Sequence, residues 1–546
     1  MNAVEKTKHI IDQVLGSIDN SPWRGLYSDR IKMLSERLNY PCELAIVGRV
    51  KAGKSSFLNA LLGENLALVG TTETTATINF FKYGTSLDNE HPVKVVWTDG
   101  REEWQTKMFL DSLQGNDKET LEKANNIDHL EYFVLNPILS NITLVDTPGT
   151  GALVDEHEQR TSDYLSGDYD KLRKKHEQQS IALKSRADAV VVITERVPTS
   201  STNELVGRFS NDTSAFNTLG VMTKIDMEHN TNERDWSRRC EKYSQLLRDQ
   251  LKTILPVSAG VYHAVNELKS SNKLSLIQEK IRLIPSDVFD ELFDGDRLAF
   301  LTKGDEYDEV YTEYGLTYSD RVSIVGTLEW EVFYIIAREL YNSSIEQAII
   351  NLIAYSGMEK VRTVLERQFF NRSRIIRCAK IADNLHKILS EISIRHLYNL
   401  RFNAINRKDY LRIINDSTAN ADIKNAFKEF VQSNIVSIDD YKSHENRIQS
   451  LTFAVEELLL EFKKVDNDVE ALLLLDKHHK AFNEQEISEI EYILGKRTGS
   501  DKHLSREELA TRQIYWRGRR NMAFNKEIKR IIEIVLSEYE FRATNI

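Results

Sequence analysis

All eight prolines of this 546-residue chain fall between Pro22 and Pro285, and the 261 residues that follow contain none. Proline lacks a backbone N–H and its ring clashes with the preceding turn, so helix interiors exclude it. A long proline-free stretch rich in Leu, Ile, Glu, Lys and Arg therefore predicts mostly helix. Polar segments at 415–420, 437–440, 466–468 and 495–500 divide residues 371–546 into four or five helices. A 30-residue helix spans ~45 Å at 1.5 Å per residue, so the expectation for this region is an elongated all-α helical bundle. Residues 1–38 also read as helix. Ile10, Ile11, Val14, Leu15 and Ile18 recur at helical spacing, and the apolar stripe needs a partner face that the C-terminal helices offer.

Between about residues 40 and 260 the pattern changes. Short β-branched apolar runs at 43–47, 78–81, 93–97, 142–145, 189–193 and 219–223 are strand-like in length and alternate with polar helical segments. Alternation of that kind predicts an α/β domain with a largely parallel sheet. Asp99-Gly100 after Trp97 marks a hairpin turn. Residues 260–355 look helical. Ser356-Gly357 is then a turn before the amphipathic segment MEKVRTVLERQFF, read as the last helix of the globular domain. The expected organisation is thus an N-terminal helix (1–38), an α/β domain over 39–370 with a helical insertion at about 260–355, and a helical bundle over 371–546.

The sharpest local signal is Gly48-Arg-Val-Lys-Ala-Gly53-Lys54-Ser55, which fits G-x-x-x-x-G-K-[ST] and stands between a strand and a helix. Glycines let such a loop curl until its N–H groups face phosphate oxygens, and the helix N-terminus adds a favourable dipole there. Gly48, Lys51, Ala52, Gly53, Lys54, Ser55 and Ser56 form the expected phosphate cradle. Lys54 reaches the β- and γ-phosphates, and Ser55 offers Mg²⁺ a hard oxygen. A second element, Asp146-Thr-Pro-Gly149, ends another apolar strand about 90 residues later. Asp146 is placed to hold the Mg²⁺ shell through water, and the Gly149 N–H to sense the γ-phosphate.

A third element selects the base. Thr223-Lys224-Ile225-Asp226 follows a strand, and the Asp226 carboxylate can accept from both the N1–H and the 2-amino group of guanine. Adenine offers no such donor pair, so the discrimination is by hydrogen-bond complementarity. The Lys224 stem would lie along the base, and the loop at Ser258 and Ala259 would meet the base oxygen. Together these elements read as a P-loop GTPase site for GTP or GDP with Mg²⁺. One ligand stays open. A threonine closing over Mg²⁺ must come from Thr71, Thr72, Thr74, Thr75 or Thr77, with Thr75 favoured and Thr74 next.

The formal net charge of −11 opposes nucleic-acid binding by bulk attraction. Cys42, Cys240 and Cys378 are far apart and odd in number, which suits buried thiols in a reducing compartment rather than disulfides or a metal site. The first residues lack a signal-peptide pattern. Apolar runs reach only about five residues, far below the ~20 that cross a bilayer, so the expected location is cytoplasmic or peripheral at a membrane. No zinc, serine-nucleophile or glycosidase constellation is visible, and a kinase reading leaves Asp226 unexplained.

The segments GKSSFLNALLGENLALVG (53–70), TTATINFFKYG (74–84) and VDTPGTGALVDEHEQ (145–159) resemble the bacterial dynamin-like proteins and, more distantly, mitofusins and dynamins. The likeness is specific over about 40–260 and rests beyond that on architecture, an α/β P-loop GTPase domain with an elongated helical neck or stalk. It implies GTP hydrolysis aided by self-association of GTPase heads, coupled to stalk motion at a membrane, with Lys54, Ser55, Thr75, Asp146, Gly149, Lys224 and Asp226 matching the family's motif. Position 150 is Thr, so the glutamine that orients water in small GTPases is absent. Lys51 stands where dynamins carry a serine that helps hold a monovalent cation, and would supply transition-state charge in cis; the alternative is a solvated loop lysine. The signal for a membrane tip is thin. The leucines at 458–460 and 472–475 read as bundle core, the cluster 171–176 as a solvated helix face, and Tyr-Trp-Arg-Gly-Arg-Arg at 515–520 either as a headgroup contact or as an inter-helix corner. That leaves room for a companion dynamin-like subunit carrying the lipid anchor. The alternative to a membrane-remodelling GTPase is a GTP-dependent interaction switch or scaffold that never touches lipid.

Overall fold

A computed structural model describes residues 3–21, 24–49, 52–63, 77–113, 126–146, 187–194, 217–228, 233–247, 253–271, 273–293, 297–304, 306–370, 372–403, 438–494 and 505–544, with single residues 123 and 421. The chain divides into two compact units, one of Pro41–Ser373 and one that joins Met1–Tyr40 to Arg374–Ile546.

The first unit is built on nine strands: β1 (Cys42–Gly48), β2 (Ile78–Tyr83), β3 (Val93–Trp97), β4 (Glu102–Gln105), β5 (Ile127–Val134), β6 (Ile142–Asp146), β7 (Ala189–Thr194), β8 (Thr218–Met222) and β9 (Thr253–Pro256). They lie in the order β4-β3-β5-β2-β6-β1-β7-β8-β9. All seven residues of β1 are buried, as are all of β6, β7 and β8, which is why these strands read as unbroken apolar runs. The half from β6 to β9 is parallel. The other half departs from the largely parallel expectation: β2 runs antiparallel to β6, and β3 antiparallel to both β4 and β5. The sheet is therefore mixed, because β2 enters opposite in direction to its neighbour and a hairpin extends the edge. That hairpin turns at Asp99-Gly100. Gly100 has φ +85°, and the Asp99 carboxylate accepts from the Arg101 N–H at 3.0 Å. Helix Glu233–Leu246 lays Trp236 and Cys240 on Ala45, Val47, Val190 and Val192.

Residues beyond β9 form helices around an aromatic core that includes Phe289, Phe293, Phe300, Trp330 and Phe333. Arg321 is fully buried there, donating to the carbonyls of Phe300, Leu316 and Thr302 and to Asp308. Helix Ile345–Ser356 ends at Gly357, and Met358–Leu365 runs on into a π-turn, Glu366–Phe370.

In the second unit the single N-terminal helix expected over 1–38 is two, Ala3–Asp19 and Arg24–Arg37. Their break falls where the sequence places Asn20-Ser21-Pro22, a stop signal carried by the proline. Ile11, Val14, Ile18, Tyr27 and Ile31 share a core with Cys378, Leu385 and Leu389 of helix Ser373–Asn403 and with Val455 and Leu458 of helix Ile438–Lys477. The latter helix is 40 residues long. It starts within the expected break at 437–440 and runs straight through the expected break at 466–468. Tertiary partners explain that continuity: Arg530 donates to Asn467 and Glu470, and Lys464 pairs with Glu538. Beyond this point Ala471 and Leu475 enter a second core with Ile490, Trp516, Ile531 and Val535, contributed by helices Glu484–Ile493, Arg506–Met522 and Lys526–Thr544. Leu458 and Leu475 are thus core, whereas Leu460 faces outward. The proposed breaks at 415–420 and 495–500 and the basic cluster 171–176 lie outside the described residues. Among the described helices none is long and apolar enough to cross a membrane.

Candidate functional site

The phosphate loop leaves β1 at Gly48 and enters helix Lys54–Leu62. A Cβ at Gly48 would stand 2.8 Å from the Ile193 carbonyl oxygen, so only glycine lets β1 pass β7 this closely as the loop departs. Gly53 has φ +85°, the left-handed conformation that turns the chain into the helix. Lys54 is buried and donates from Nζ to the carbonyls of Gly48 and Arg49, each at 3.1 Å. The ammonium is thereby folded across the mouth of its own loop. Burial lowers its pKa, opposed by the Asp146 charge. Ala52 is buried, while Ser55 and Ser56 are partly exposed at the helix start. Lys51, Thr75 and Gly149, along with Thr71, Thr72 and Thr74, lie outside the described residues. Thr77 is described and buried, and its hydroxyl is committed to the Asn79 side chain at 3.3 Å.

Asp146 ends β6 beside this loop. Burial pushes its carboxyl up to about 6, while Lys54 and a hydrogen bond from Asn79 pull it down. Its Oδ1 is buried without a partner among the described residues. A carboxylate oxygen left unpaired in a native interior calls for a ligand, and water or an ion is the usual answer. Of the described residues, the Ser55 hydroxyl and the Asp146 carboxylate are hard oxygen donors that fit Mg²⁺, Asp146 through water.

The Thr223–Asp226 element is tied to the loop that leaves β1. Thr223 donates from Oγ1 to the Ala52 carbonyl at 2.6 Å, and its N–H donates to Thr194 at 2.9 Å. Lys224 has φ +58°, the one described non-glycine residue with positive φ. Such a conformation persists only where its surroundings impose it, and here it swings the chain into the short 3-10 helix Ile225–Glu228, carrying the buried Asp226. The neighbouring loop closes the far side. Val257 N–H donates to Met222 at 2.8 Å, and Ser258 N–H to the Ser356 carbonyl at 2.9 Å. Ser258 Oγ caps helix Ala259–Ser270 by accepting from Val261 N–H at 3.1 Å. Ser258 thus spends both its donor and its side chain inside the fold. The Ala259 N–H, in the first helical turn where no intrahelical acceptor exists, is the group of this pair that suits a base oxygen.

Two residues absent from the sequence-based set stand at the site. Asn79 is opposed to Asp146 across the antiparallel β2–β6 ladder. Tyr355, whose buried hydroxyl has no partner among the described residues, has its pKa raised by burial and by the Asp226 charge. Neither lies in a recognisable motif. The basic-aromatic cluster at 515–520 is an inter-helix corner. Tyr515 and Arg519 donate to Glu486 at 2.8 and 2.6 Å, and buried Trp516 donates to Glu489 at 2.8 Å.

The profile of the Dynamin family matches residues 44–225, which takes in β1, the phosphate loop, Asp146 and Lys224. The isoniazid-induced protein IniC of Mycobacterium tuberculosis is 26% identical over 166 residues, 30% of this chain and 32% of that protein. Dynamin-like protein 1 of Campylobacter jejuni is 32% identical over 116 residues, 21% of this chain and 15% of that protein. The bacterial dynamin-like protein of Nostoc punctiforme is 31% identical over 117 residues, 19% and 16% of the two chains. The aligned region thus spans a third or less of these curated relatives. Among solved structures, an oligomerised bacterial dynamin pair, described as providing a mechanism for long-range sensing and tethering of membranes, aligns over 95% of this chain and 86% of its own at 16% identity and a TM-score of 0.32; a score that low carries no argument here. Residues 44–225 thus match a Dynamin-family domain, and the sequence relatives over that region include bacterial dynamin-like proteins.

Proposed function

We propose that the chain binds GTP with Mg²⁺, hydrolyses it to GDP and phosphate with help from pairing of its GTPase domains, and couples that cycle to remodelling or tethering at a membrane surface through its helical unit. The observation that carries the nucleotide reading is the convergence of buried Lys54, the unpartnered Asp146 oxygen and buried Asp226 around one loop locked by Thr223. Lys54 binds phosphate oxygens in exchange for the Gly48 and Arg49 carbonyls. Asp226 orders the base, and Lys224 covers its face. Mg²⁺ supplies charge compensation for the phosphates when bound. Lys51, Thr75 and Gly149 complete the proposed catalytic set. Titration with GTP and ATP in the presence of Mg²⁺ tests this reading; equal affinity for the two nucleotides would sink it. Turnover per molecule that does not rise with protein concentration would remove the pairing step.

The surface reading rests on a different place from the one the sequence suggested. The turn between helices Arg506–Met522 and Lys526–Thr544 leaves Met522 70% and Phe524 fully exposed, with Lys526 and Lys529 exposed a few residues further along the chain. Apolar side chains rimmed by lysines suit a peripheral contact with anionic headgroups. Co-sedimentation with vesicles containing phosphatidylserine, with and without a non-hydrolysable GTP analogue, should pellet the chain, and Phe524→Asp should release it. The second reading, a GTP-dependent interaction switch in which a companion dynamin-like subunit or other protein meets the helical unit, is favoured by the internal commitment of Tyr515, Trp516 and Arg519, and absence of vesicle binding would select it.

A further inference from the structure

Asn79 belongs to no nucleotide-binding motif, yet it faces the carboxylate proposed to hold the metal shell. On β2 it pairs across the antiparallel ladder with Asp146 of β6, and residues directly opposed in such a ladder project to the same face of the sheet. The side chain is 3% exposed, and Asn79 lowers the Asp146 pKa as a donor facing the carboxylate would. An ionised carboxylate only accepts, so the Asn79 amide nitrogen must face it and donate. The amide oxygen then faces Thr77, whose Oγ1 lies 3.3 Å away and donates to it. That second bond fixes which way round the amide sits. Asp146 Oδ1 is buried without a partner among the described residues, so a bond donated by Asn79 would fall to the other oxygen. The row Thr77, Asn79, Asp146 is thus arranged to hold one carboxylate oxygen, and its twin has no partner among the described residues.

We propose that Asn79 is a positioning residue. Its carboxamide, itself oriented by Thr77, holds the Asp146 carboxylate at the rotation that presents Oδ1 to the water shell of the nucleotide-bound Mg²⁺. The inference rests on the Mg²⁺–nucleotide reading above and assigns a further element of that site. An alternative in which Asn79 merely satisfies a buried group predicts the same loss of nucleotide affinity whether or not metal is present. The positioning role predicts a loss confined to the metal-dependent part, because Lys54, Thr223 and Asp226 hold the nucleotide without help from Asn79.

The full chain is titrated with fluorescent GDP in excess EDTA and at stepped Mg²⁺ concentrations. Asn79→Leu, Asn79→Ala, Thr77→Val and Thr77→Ser are compared with the unaltered chain. In EDTA all five should bind GDP within about twofold of one another. The Mg²⁺ concentration at half-effect should rise about tenfold in both Asn79 variants, as expected for loss of an outer-shell partner of a metal site. It should rise by a smaller factor in Thr77→Val and stay unchanged in Thr77→Ser, which keeps the hydroxyl. An unchanged Mg²⁺ response in the Asn79 variants overturns the proposal, as does an equal loss of affinity in EDTA and in Mg²⁺. Should the Asn79 variants fail to fold, Thr77→Val decides: a Mg²⁺ response like that of Thr77→Ser overturns the orienting network. If the unaltered chain binds GDP equally with and without Mg²⁺, the metal reading itself fails and this proposal falls with it; if it binds no GDP under either condition, the nucleotide reading fails first.

Discussion

Replacing Gly357 with alanine should cost the nucleotide-binding unit both stability and guanine affinity, although the residue lies about a hundred positions beyond the base-reading loop. Gly357 ends helix Ile345–Ser356 with φ +69°, and a Cβ there would sit 2.3 Å from the Pro256 carbonyl oxygen. Two terms therefore add. The left-handed conformation costs an L-residue about 1–2 kcal/mol, and forcing a methyl into packed backbone adds about 1–3 kcal/mol. The sum is about 2–5 kcal/mol. Neither obstacle is a flexible side chain that can step aside, so relief must come from moving the backbone. The backbone in question is Pro256–Ser258, held by the Ser258-to-Ser356 hydrogen bond, and Val257 in turn is tied to Met222 at the end of β8. At about 2–4 °C per kcal/mol for a unit of this size, the unit's thermal midpoint should fall by at least about 4 °C, and GDP affinity should drop alongside it. Gly518→Ala is the control. Gly518 sits in helix Arg506–Met522 with nothing within 4 Å of its would-be Cβ, so alanine there should be neutral or stabilise by up to about 1 kcal/mol. Differential scanning fluorimetry with and without GDP reads both effects. A Gly357→Ala chain that melts and binds like the parent would refute the claim that this contact sets the base loop.

Asp226→Asn exchanges an acceptor for a group that presents a donor to the base. Loss of two charge-assisted hydrogen bonds, each worth about 1.5–3 kcal/mol, should weaken GTP binding by roughly 10²–10⁴-fold and improve binding of xanthosine triphosphate, as competition titration would show; unchanged GTP affinity would exclude Asp226 as the base reader. Glu131, paired with Lys82 and with His129 at 3.3 Å, is held down to about 2 from an ordinary 4.5. A depressed carboxyl stabilises the fold above its unfolded pKa and loses that contribution as pH falls through the folded one, so the nucleotide-binding unit should lose about 2 kcal/mol between pH 4.5 and 2. Glu131→Gln should flatten that part of a urea-melt pH series, and an identical slope would contradict the pairing. Asp468 has the opposite sign: burial pushes it up to about 7, aggravated by Glu538, and its Oδ1 has no partner among the described residues. The helical unit should accordingly weaken as pH rises from about 4 to 7, and Asp468→Asn should raise its melting temperature at pH 8 relative to the parent but not at pH 4.

Which features were legible in the sequence follows from how local their causes are. The phosphate loop, Asp146 and Asp226 sit at the ends of fully buried parallel strands, whose apolar runs announce themselves, and glycine is obligatory at Gly48 and Gly53 for reasons confined to a few residues. Strand β5 was missed because Asp128, His129 and Glu131 interrupt its apolar residues on both faces. Those charges look like a loop until Lys82 from β2 comes to meet them. Strand β4 is a four-residue edge with two glutamates, and no periodicity can emerge from so short a run. The antiparallel entry of β2 leaves no local mark, so neither the mixed sheet nor the pairing of Asn79 with Asp146 was available from motif spacing. In the helical unit the polar triplet 466–468 resembled a break, but helix continuity there depends on Arg530 and Glu538, residues 60 or more positions away.

The same distinction explains why the pocket behaves as one body rather than as separate motifs on a common sheet. Thr223 belongs to the base-reading element, yet its hydroxyl bonds the Ala52 carbonyl inside the phosphate loop, and its N–H bonds Thr194 at the end of β7. Gly48 presses against Ile193, one residue earlier on that same strand. Ile193 and Thr194 at the end of β7 therefore touch the phosphate loop on one side and the guanine element on the other. A shift of the loop toward phosphate must be felt at Thr223, and from there at Lys224, already held at φ +58°. A strained residue between two tied points has little freedom to absorb a displacement, so the base end and the phosphate end should move together. Thr223→Val, which keeps shape and removes only the hydroxyl, separates the two ends. It should leave the fold intact and weaken binding of guanosine diphosphate more than that of guanosine, because guanosine uses the base element alone and does not need the loop held in register. Equal loss for both ligands would show instead that Thr223 serves the base element and that the two ends are independent.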